Sequence, residues 1–238
     1  MVVPSNNSHS MSGEILGTIV VPVLNESAGI DQCMQDLLAI AHNRWKVVVC
    51  DGGSQDGTLQ RLAAYPVVVV SSGPGRARQM NAGAEMAEGP LLVFVHADTR
   101  LPADFNLLME AFLATGLQWG RFDVQLDNPR WPYRMIAWFM NRRSALTGVC
   151  TGDQTFFMRA AFFLRLQGFA QLPLMEDVEF SLRARKLSVP FRVTQPVMTS
   201  ARRWSKHGVL KTMLLMWWLR LAYRLGVSPR RLHAWYYG

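Results

Sequence analysis

EGPLLVFVHADTR, residues Glu88 to Arg100, is the stretch whose reading decides the fold. Leu91 to Val95 is apolar without a break and is set off by Gly89 and Pro90, the pattern of a strand buried on both faces. The run leads into His96-Ala97-Asp98, then Thr99 and a Pro102 suited to opening a helix. On an extended chain, residues 96 and 98 emerge on one side, so an imidazole and a carboxylate would leave the strand's carboxyl end together. In open α/β sheets that end is where ligands bind. A carboxylate there would hold a divalent cation against a diphosphate, or do no more than cap the next helix.

Upstream, the same rhythm repeats. Leu16 to Val23 reads as a buried strand, and Ser27 as the cap of a helix with apolar positions Ile30, Met34, Leu37, Leu38 and Ala41. Trp45 to Cys50 is a second strand, followed by Asp51-Gly52-Gly53-Ser54, a short helix from Asp56 to Ala64 and a third strand from Val67 to Ser71. Gly73-Pro74-Gly75 turns into a helix from Arg76 to Ala87. Strands alternating with helices at this pitch predict right-handed βαβ units and a mostly parallel sheet of the α/β class. Past Ala114 the pattern loosens. Phe122 to Leu126 alternates like an edge strand, Trp131 to Leu146 is an aromatic helix, Gln154 to Met158 a strand and Glu176 to Lys186 a helix. We expect a polar segment over 1–13 that is no signal peptide, one α/β domain over 14–204, and a C-terminal apolar and basic helical extension over 205–238.

Composition narrows the function classes. With 238 residues, half of them hydrophobic, the chain has ample core for one large domain. Three cysteines, far apart and without a CxxC, exclude a disulfide framework or zinc knuckle and suit a reducing, cytoplasmic setting. The net charge of +8 is lopsided: residues 180–238 hold 12 Lys/Arg and no acid, whereas the preceding residues hold 13 Lys/Arg against 17 acids. Such a block seeks phosphate. No nucleic-acid-binding motif accompanies it, so no nucleic acid is expected as partner.

Three polar clusters terminate three predicted strands: Pro22-Val23-Leu24-Asn25-Glu26, Asp51-Gly52-Gly53-Ser54 and His96-Ala97-Asp98. One would be a cap; three on one sheet edge describe a pocket. A dinucleotide-binding Rossmann domain needs G-x-G-x-x-G directly after the first strand, where this chain has Pro22 and Asn25. The later Gly73-x-Gly75 has Arg78 at the third glycine's place, which argues against a nicotinamide enzyme.

With PVLNE (22–26), VCDGGSxDGT (49–58), RxQMNAGA within 78–84, HADT (96–99), GDQ (152–154) and Glu176-Asp177 in this order, the chain resembles a family-2 glycosyltransferase of the GT-A, Rossmann-type fold, the inverting, nucleotide-sugar-dependent class. GRARQMN with FVHADT further resembles the subgroup labelled rSAM/selenodomain-associated transferase 2, some members of which are assigned to arsenosugar biosynthesis. The resemblance implies a UDP- or GDP-sugar donor and a divalent metal, Mg²⁺ or Mn²⁺. It implies that Pro22, Asn25 and Glu26 line the nucleoside, that Asp51 accepts from a base N–H, and that Arg76 and Arg78 sit near the base or diphosphate. His96-Ala97-Asp98 takes the place of the D-x-D motif with His for the first Asp. Asp98 would be the direct metal ligand, and His96 a second ligand, a ribose partner or a spacer. Asp177 takes the place of the general base, with Glu176 beside it and its carboxylate pointing elsewhere. Gly152, Asp153 and Gln154 would border the acceptor. Ser200 to Trp204 resembles the Q-x-x-R-W box of processive synthases without its Gln. Arg203 would neutralise the leaving diphosphate and Trp204 stack on the acceptor.

Val209 to Leu225 is strongly apolar, but its uncharged core from Thr212 to Leu219 is far too short to span a bilayer. It reads either as a helix packed on the domain or in an oligomer contact, or as an interfacial helix on an anionic membrane surface, which would make the protein peripheral on the inner face. The expected activity is sugar transfer from a nucleoside diphosphate to the hydroxyl of a small or lipid-linked acceptor. Its rivals are a nucleotidyltransferase of similar fold, for which the Gly-rich signature is missing, and a non-catalytic nucleotide-sugar-binding or membrane-associated scaffold protein.

Overall fold

The computed structural model describes residues 15–237, less the side chains of Lys206 and His207. The expected segment over 1–13 lies outside the described residues. The first half follows the predicted rhythm: β1 (Gly17–Val23), α1 (Ile30–Ala41), β2 (Trp45–Asp51), α2 (Thr58–Leu62), β3 (Val68–Ser71), α3 (Arg76–Glu85) and β4 (Leu91–Phe94). These four strands are parallel in the order β3-β2-β1-β4, with Val20 opposite both Val48 and Phe94. Period-two alternation divides their side chains between two cores. Ile19, Val21 and Val23 face α1, while Val20, Val48 and Cys50 face α3. Gly83 lets α3 lie directly on the sheet, because a Cβ there would come within 2.4 Å of Val20 and 2.5 Å of the Cys50 sulfur. All three cysteines are free and buried.

α1 corrects one expectation. It starts at Ile30 behind Gly29 without a side-chain cap, and the Ser27 N–H donates to Asp56 Oδ2 at 3.0 Å, so Ser27 belongs to a loop contact and not to a cap.

The second half brings β5 (Thr99–Arg100), α4 (Phe105–Ala114), β6 (Trp119–Leu126), α5 (Trp131–Thr147), a 3₁₀ turn at Gly152–Gln154, β7 (Phe156–Arg159), α6 (Ala160–Arg165), α7 (Glu176–Leu187) and β8 (Phe191–Thr199). The eight strands form one mixed sheet, β3-β2-β1-β4-β7-β6-β8-β5. β7 enters antiparallel between β4 and β6, which a chain-order reading cannot see. β6 is no edge strand: β7 and β8 flank it, and seven of its residues are buried. β8 departs from the sequence pattern, since polar residues and Pro196 interrupt it. The irregularity in its pairing with β6, where Phe122 faces Val193 and Asp123 faces Pro196, explains how a proline is tolerated there.

α8 (Arg202–His207), α9 (Val209–Arg224) and α10 (Pro229–Tyr237) close the chain. Leu219, Ala222 and Leu232 pack on Val149, Met175 and Val178, so α9 and α10 lean on the start of α7. Among the described residues no helix is long and apolar enough to cross a membrane.

Candidate active site

The carboxyl ends of β1, β2 and β4 are neighbours, and side chains stitch their loops into one edge. Gln79, buried on α3, donates from Nε2 to the Val23 carbonyl at 2.7 Å and the Cys50 carbonyl at 2.9 Å. Asn25, at φ 54°, donates its N–H to Ser54 Oγ at 2.9 Å and accepts from the Gln55 N–H at 2.8 Å. The Glu26 N–H donates to Thr58 Oγ1 at 3.0 Å. Asp51 is 2% exposed, and its carboxylate accepts from Gly53 N–H at 2.9 Å and Ser54 N–H at 3.1 Å. Each loop thereby fixes the next.

Above this edge lies a cleft of about 530 Å³. Of the residues singled out in the sequence, Pro22, Glu26, Arg76, His96, Asp98, Asp153, Glu176, Arg203 and Trp204 line it. Asn25, Asp51, Arg78, Gly152, Gln154 and Asp177 stand outside that lining. Gln154 is the clearest departure: it is fully buried and donates to Ser144 Oγ at 2.9 Å, tying the 3₁₀ turn to α5 instead of bordering an acceptor.

His96 and Asp98 do not leave an extended strand side by side. β4 stops at Phe94, and the Thr99 N–H donates to the His96 carbonyl at 3.0 Å, so both residues sit in a turn. His96 Nδ1 lies 3.4 Å from Asp153 Oδ1, and the imidazole packs so tightly on Gly152 that a Cβ there would come within 2.5 Å of it. The histidine in the D-x-D position thus joins the end of β4 to the 152–154 turn. Burial works against the Asp153 charge, but His96, Arg76 and Arg203 outweigh it and hold the carboxyl well below the usual carboxylate range.

The acid pair divides its work at the start of α7. Met175 precedes it in the left-handed region at φ 71°, one of three non-glycine residues so strained around the site, with Asn25 and Thr155. Glu176, 4% exposed, reaches the cleft and lies 3.7 Å from Arg76 Nη1. Burial and the neighbouring Asp177 charge push its pKa up despite Arg76. For Arg76, burial opposes the charge, but Glu176, Asp153 and Asp177 more than compensate and raise its pKa. Asp177 is anchored by backbone donors, Gly152 N–H at 2.9 Å and Val178 N–H at 2.7 Å. Its charge is the strongest acidic influence on Arg220, across the cleft wall on α9. Glu176 is thus the acid nearest Arg76, while Asp177 is held by backbone donors and its charge reaches both Arg76 and Arg220.

The donor set has one test to pass for a divalent cation. Among the described residues no three His, Cys, Asp or Glu side chains converge into a cage. Glu26 and Asp98 line the same cleft, and Glu26 is pushed up by burial, with Arg202 opposing and Asp98 reinforcing the shift. Two hard oxygen donors of like charge suit Mg²⁺ or Mn²⁺ arriving with a diphosphate, which completes its shell from phosphate and water. His96 Nδ1 faces Asp153.

Other residues of the site carry no signal in the sequence. Gln79 stands inside the RxQMNAGA motif, but nothing in the motif marks it as buried. Arg202, not Arg203, meets Glu26, at 3.5 Å. His233 and Tyr237 of α10 also line the cleft, so the extension forms part of the wall.

Known proteins share this fold. The family model described as glycosyl transferase family 2 matches residues 18–172, more than half of the chain. A PGL/p-HBAD biosynthesis glycosyltransferase of Mycobacterium bovis is 24% identical over 211 residues, 83% of this chain and 80% of its own. The crystal structure of S. aureus TarS in complex with UDP-GlcNAc superposes with a TM-score of 0.63 at 18% identity, over 77% of this chain and 58% of that one. The chain thus spans little more than half of that TarS chain. The mannosyltransferase PcManGT from Pyrobaculum calidifontis, in complex with GDP-Man and Mn²⁺, gives a TM-score of 0.57 at 20% identity, over 77% of this chain and 55% of that one. At these identities the structural likeness is one of fold.

Proposed function

The chain belongs to glycosyltransferase family 2, and from that premise we propose that it moves a sugar, with inversion, from a UDP- or GDP-sugar to the hydroxyl of a small or lipid-linked acceptor. The observation that carries this is the cleft that joins Glu26, Arg76 and Asp98 on the strand side to Glu176 at the start of α7, with Asp177 next to it in the chain. Glu26 and the β2 loop receive the nucleoside. Arg76, at the amino end of α3, and Arg203 face the diphosphate, where their charge and the helix end both favour an anion. Asp98, with Glu26 near it, would hold the divalent cation, which when bound supplies positive charge to the leaving diphosphate.

Asp177 is the general base. The two N–H donors fix its carboxylate, whose charge reaches Arg220 on α9. From there it takes the acceptor hydroxyl proton as the oxygen attacks the anomeric carbon and the bond to the diphosphate breaks. Glu176 is a positioning residue that holds Arg76.

Residues 14–204 are the catalytic domain in this reading, and 205–238 an extension that completes its wall. The finer likeness to the selenodomain-associated subgroup rests on GRARQMN and FVHADT. α9 also exposes Trp217, Trp218 and Leu221 beside Trp138 and Phe139 of α5 in an acid-free block, which supports a seat on anionic lipid. Sedimentation with anionic but not zwitterionic vesicles tests that seat.

The donor reading is tested by thermal shift with UDP, GDP and ADP, with and without Mn²⁺, followed by assay of transfer. A metal-dependent rise with UDP or GDP and little with ADP is expected. Equal shifts for all three would remove base selectivity from the donor reading.

A further inference from the structure

Next to the donor cleft, α5 and α9 enclose a second cavity of about 280 Å³. Its sides are apolar, with Phe139, Met213 and Trp217 among them, and it shares Asp153 and Trp204 with the donor cleft. Whatever fills it therefore ends beside the site of transfer. Two cations interrupt the apolar lining, Arg143 from α5 and Arg220 from α9. Both also line a further cavity of about 430 Å³ along α9, so they stand between the two spaces.

The Asp177 charge reaches both guanidiniums, and that of Asp153 reaches Arg220, but neither guanidinium is directly paired among the described residues. Arg143 makes one hydrogen bond, to the Val149 carbonyl at 3.0 Å, while its buried Nε and Nη2 have no partner among the described residues. Neither arginine forms an ion pair among the described residues. Burial, followed by the like charge of Arg220, lowers the Arg143 pKa to about 10. Two neighbouring guanidiniums held in an apolar wall are costly unless an anion joins them. A planar fork with free donors is suited to a carboxylate or phosphate.

Building on the sugar-transfer reading, we propose that this cavity is the acceptor site and that the acceptor is an amphiphile: an apolar body between α5 and α9, an anionic group on Arg143 and Arg220, and the reacting hydroxyl at the Asp153 and Trp204 end. The anion, carboxylate or phosphate, is set back from the hydroxyl by the length of the cavity. Trp217 and Trp204 provide apolar faces in its lining.

The test is equilibrium binding of decyl phosphate, decanoate, decanol and inorganic phosphate to the full chain, below micelle-forming concentrations, with UDP and GDP binding in the presence of Mn²⁺ measured on the same samples. Decyl phosphate or decanoate should bind about tenfold or more tighter than decanol, and decyl phosphate should exceed inorganic phosphate by a similar factor. The better of the two amphiphilic anions identifies the group. Arg143→Gln with Arg220→Gln should remove the advantage over decanol without changing UDP or GDP binding. Arg220→Gln alone, on the half-buried face of α9, should halve it or more and guards against misfolding of the double variant. Decanol binding as tightly as the anions, an advantage that survives both substitutions, or binding seen only with micelles would overturn the proposal. If a nucleoside diphosphate binds and the anions show no preference, this inference falls and sugar transfer stands. An anion preference without UDP or GDP binding would sink sugar transfer instead.

Discussion

The two walls of the cleft are built by different means. On the strand side, residues 17–100 fix functional groups through hydrogen bonds between loops: Asn25 to Ser54 and Gln55, Glu26 to Thr58, and Gln79 to two strand ends. On the other side, α5, α9 and α10 place theirs by packing, with Phe139 against Trp217 at 6.4 Å and Arg203 over Tyr236 at 5.4 Å. A hydrogen-bonded wall is specific in direction and suits one recurring ligand part, a nucleoside diphosphate. A packed aromatic wall sets shape and polarity and can be refitted to another acceptor without disturbing the first. The acid pair lies on the seam between the two.

That division is most severely tested on the seam. Asp177→Asn preserves size and keeps one of the two backbone hydrogen bonds but cannot take a proton, so transfer should fall by roughly 10²–10⁴-fold with donor affinity nearly unchanged. Glu176→Gln should fall less, and mainly through weaker donor binding, because Glu176 acts through Arg76. Steady-state kinetics with donor titration separates the two. If Asp177→Asn turned over normally and Glu176→Gln did not, the roles given to the two sides would be exchanged.

Within the strand-side wall, Asp98→Ala should abolish Mn²⁺-dependent binding of the nucleoside diphosphate, measured by calorimetry. His96→Ala should be milder, since its ring serves Asp153 and Gly152. Equal loss in both variants would make the imidazole a ligand after all.

The strand side is the more legible in the sequence, for a physical reason. Buried parallel strands are continuous apolar runs, and their ends are marked by Asp51-Gly52-Gly53 and His96-Ala97-Asp98, so a local reading gives both the elements and the edge they share. The packed side depends on contacts distant in sequence. β7 joins β4 from more than sixty residues away, β8 hides behind Pro196, and α10 brings Tyr237 to a cleft that begins at Pro22. Gln154 is misplaced by a local reading for the same reason, because its partner Ser144 lies on a neighbouring helix. A motif names residues but leaves open which way they turn.

Gly152 is where the two walls touch, and its substitution should have an intermediate effect. Gly152→Ala drives a methyl to within 2.5 Å of the His96 imidazole. Overpacking of this kind costs about 1–3 kcal/mol, which should be visible in denaturant unfolding. Adding His96→Ala should recover most of it. If the double variant were as unstable as the single, the contact would not be what makes glycine necessary there.

The smallest effect concerns the Glu176 charge. Its pKa in the folded chain is raised above the ordinary 4.5, by burial first and by Asp177 second, with Arg76 opposing. The folded state therefore keeps the proton to higher pH than the unfolded state does. For a carboxyl displaced upward, the stabilising contribution is complete below the unfolded pKa and is lost as pH rises through the folded one. Glu176→Gln cannot ionise and escapes that loss. The melting temperature of the variant minus that of the wild type should thus increase as pH is raised from about 4.5, then level off once pH has passed the folded pKa. Introducing Asp177→Asn into both chains removes the second cause and should flatten the rise. A difference that shrinks with pH would mean that the Arg76 pairing outweighs burial, and that the seam between the walls is held by an ion pair instead of strained by a buried acid.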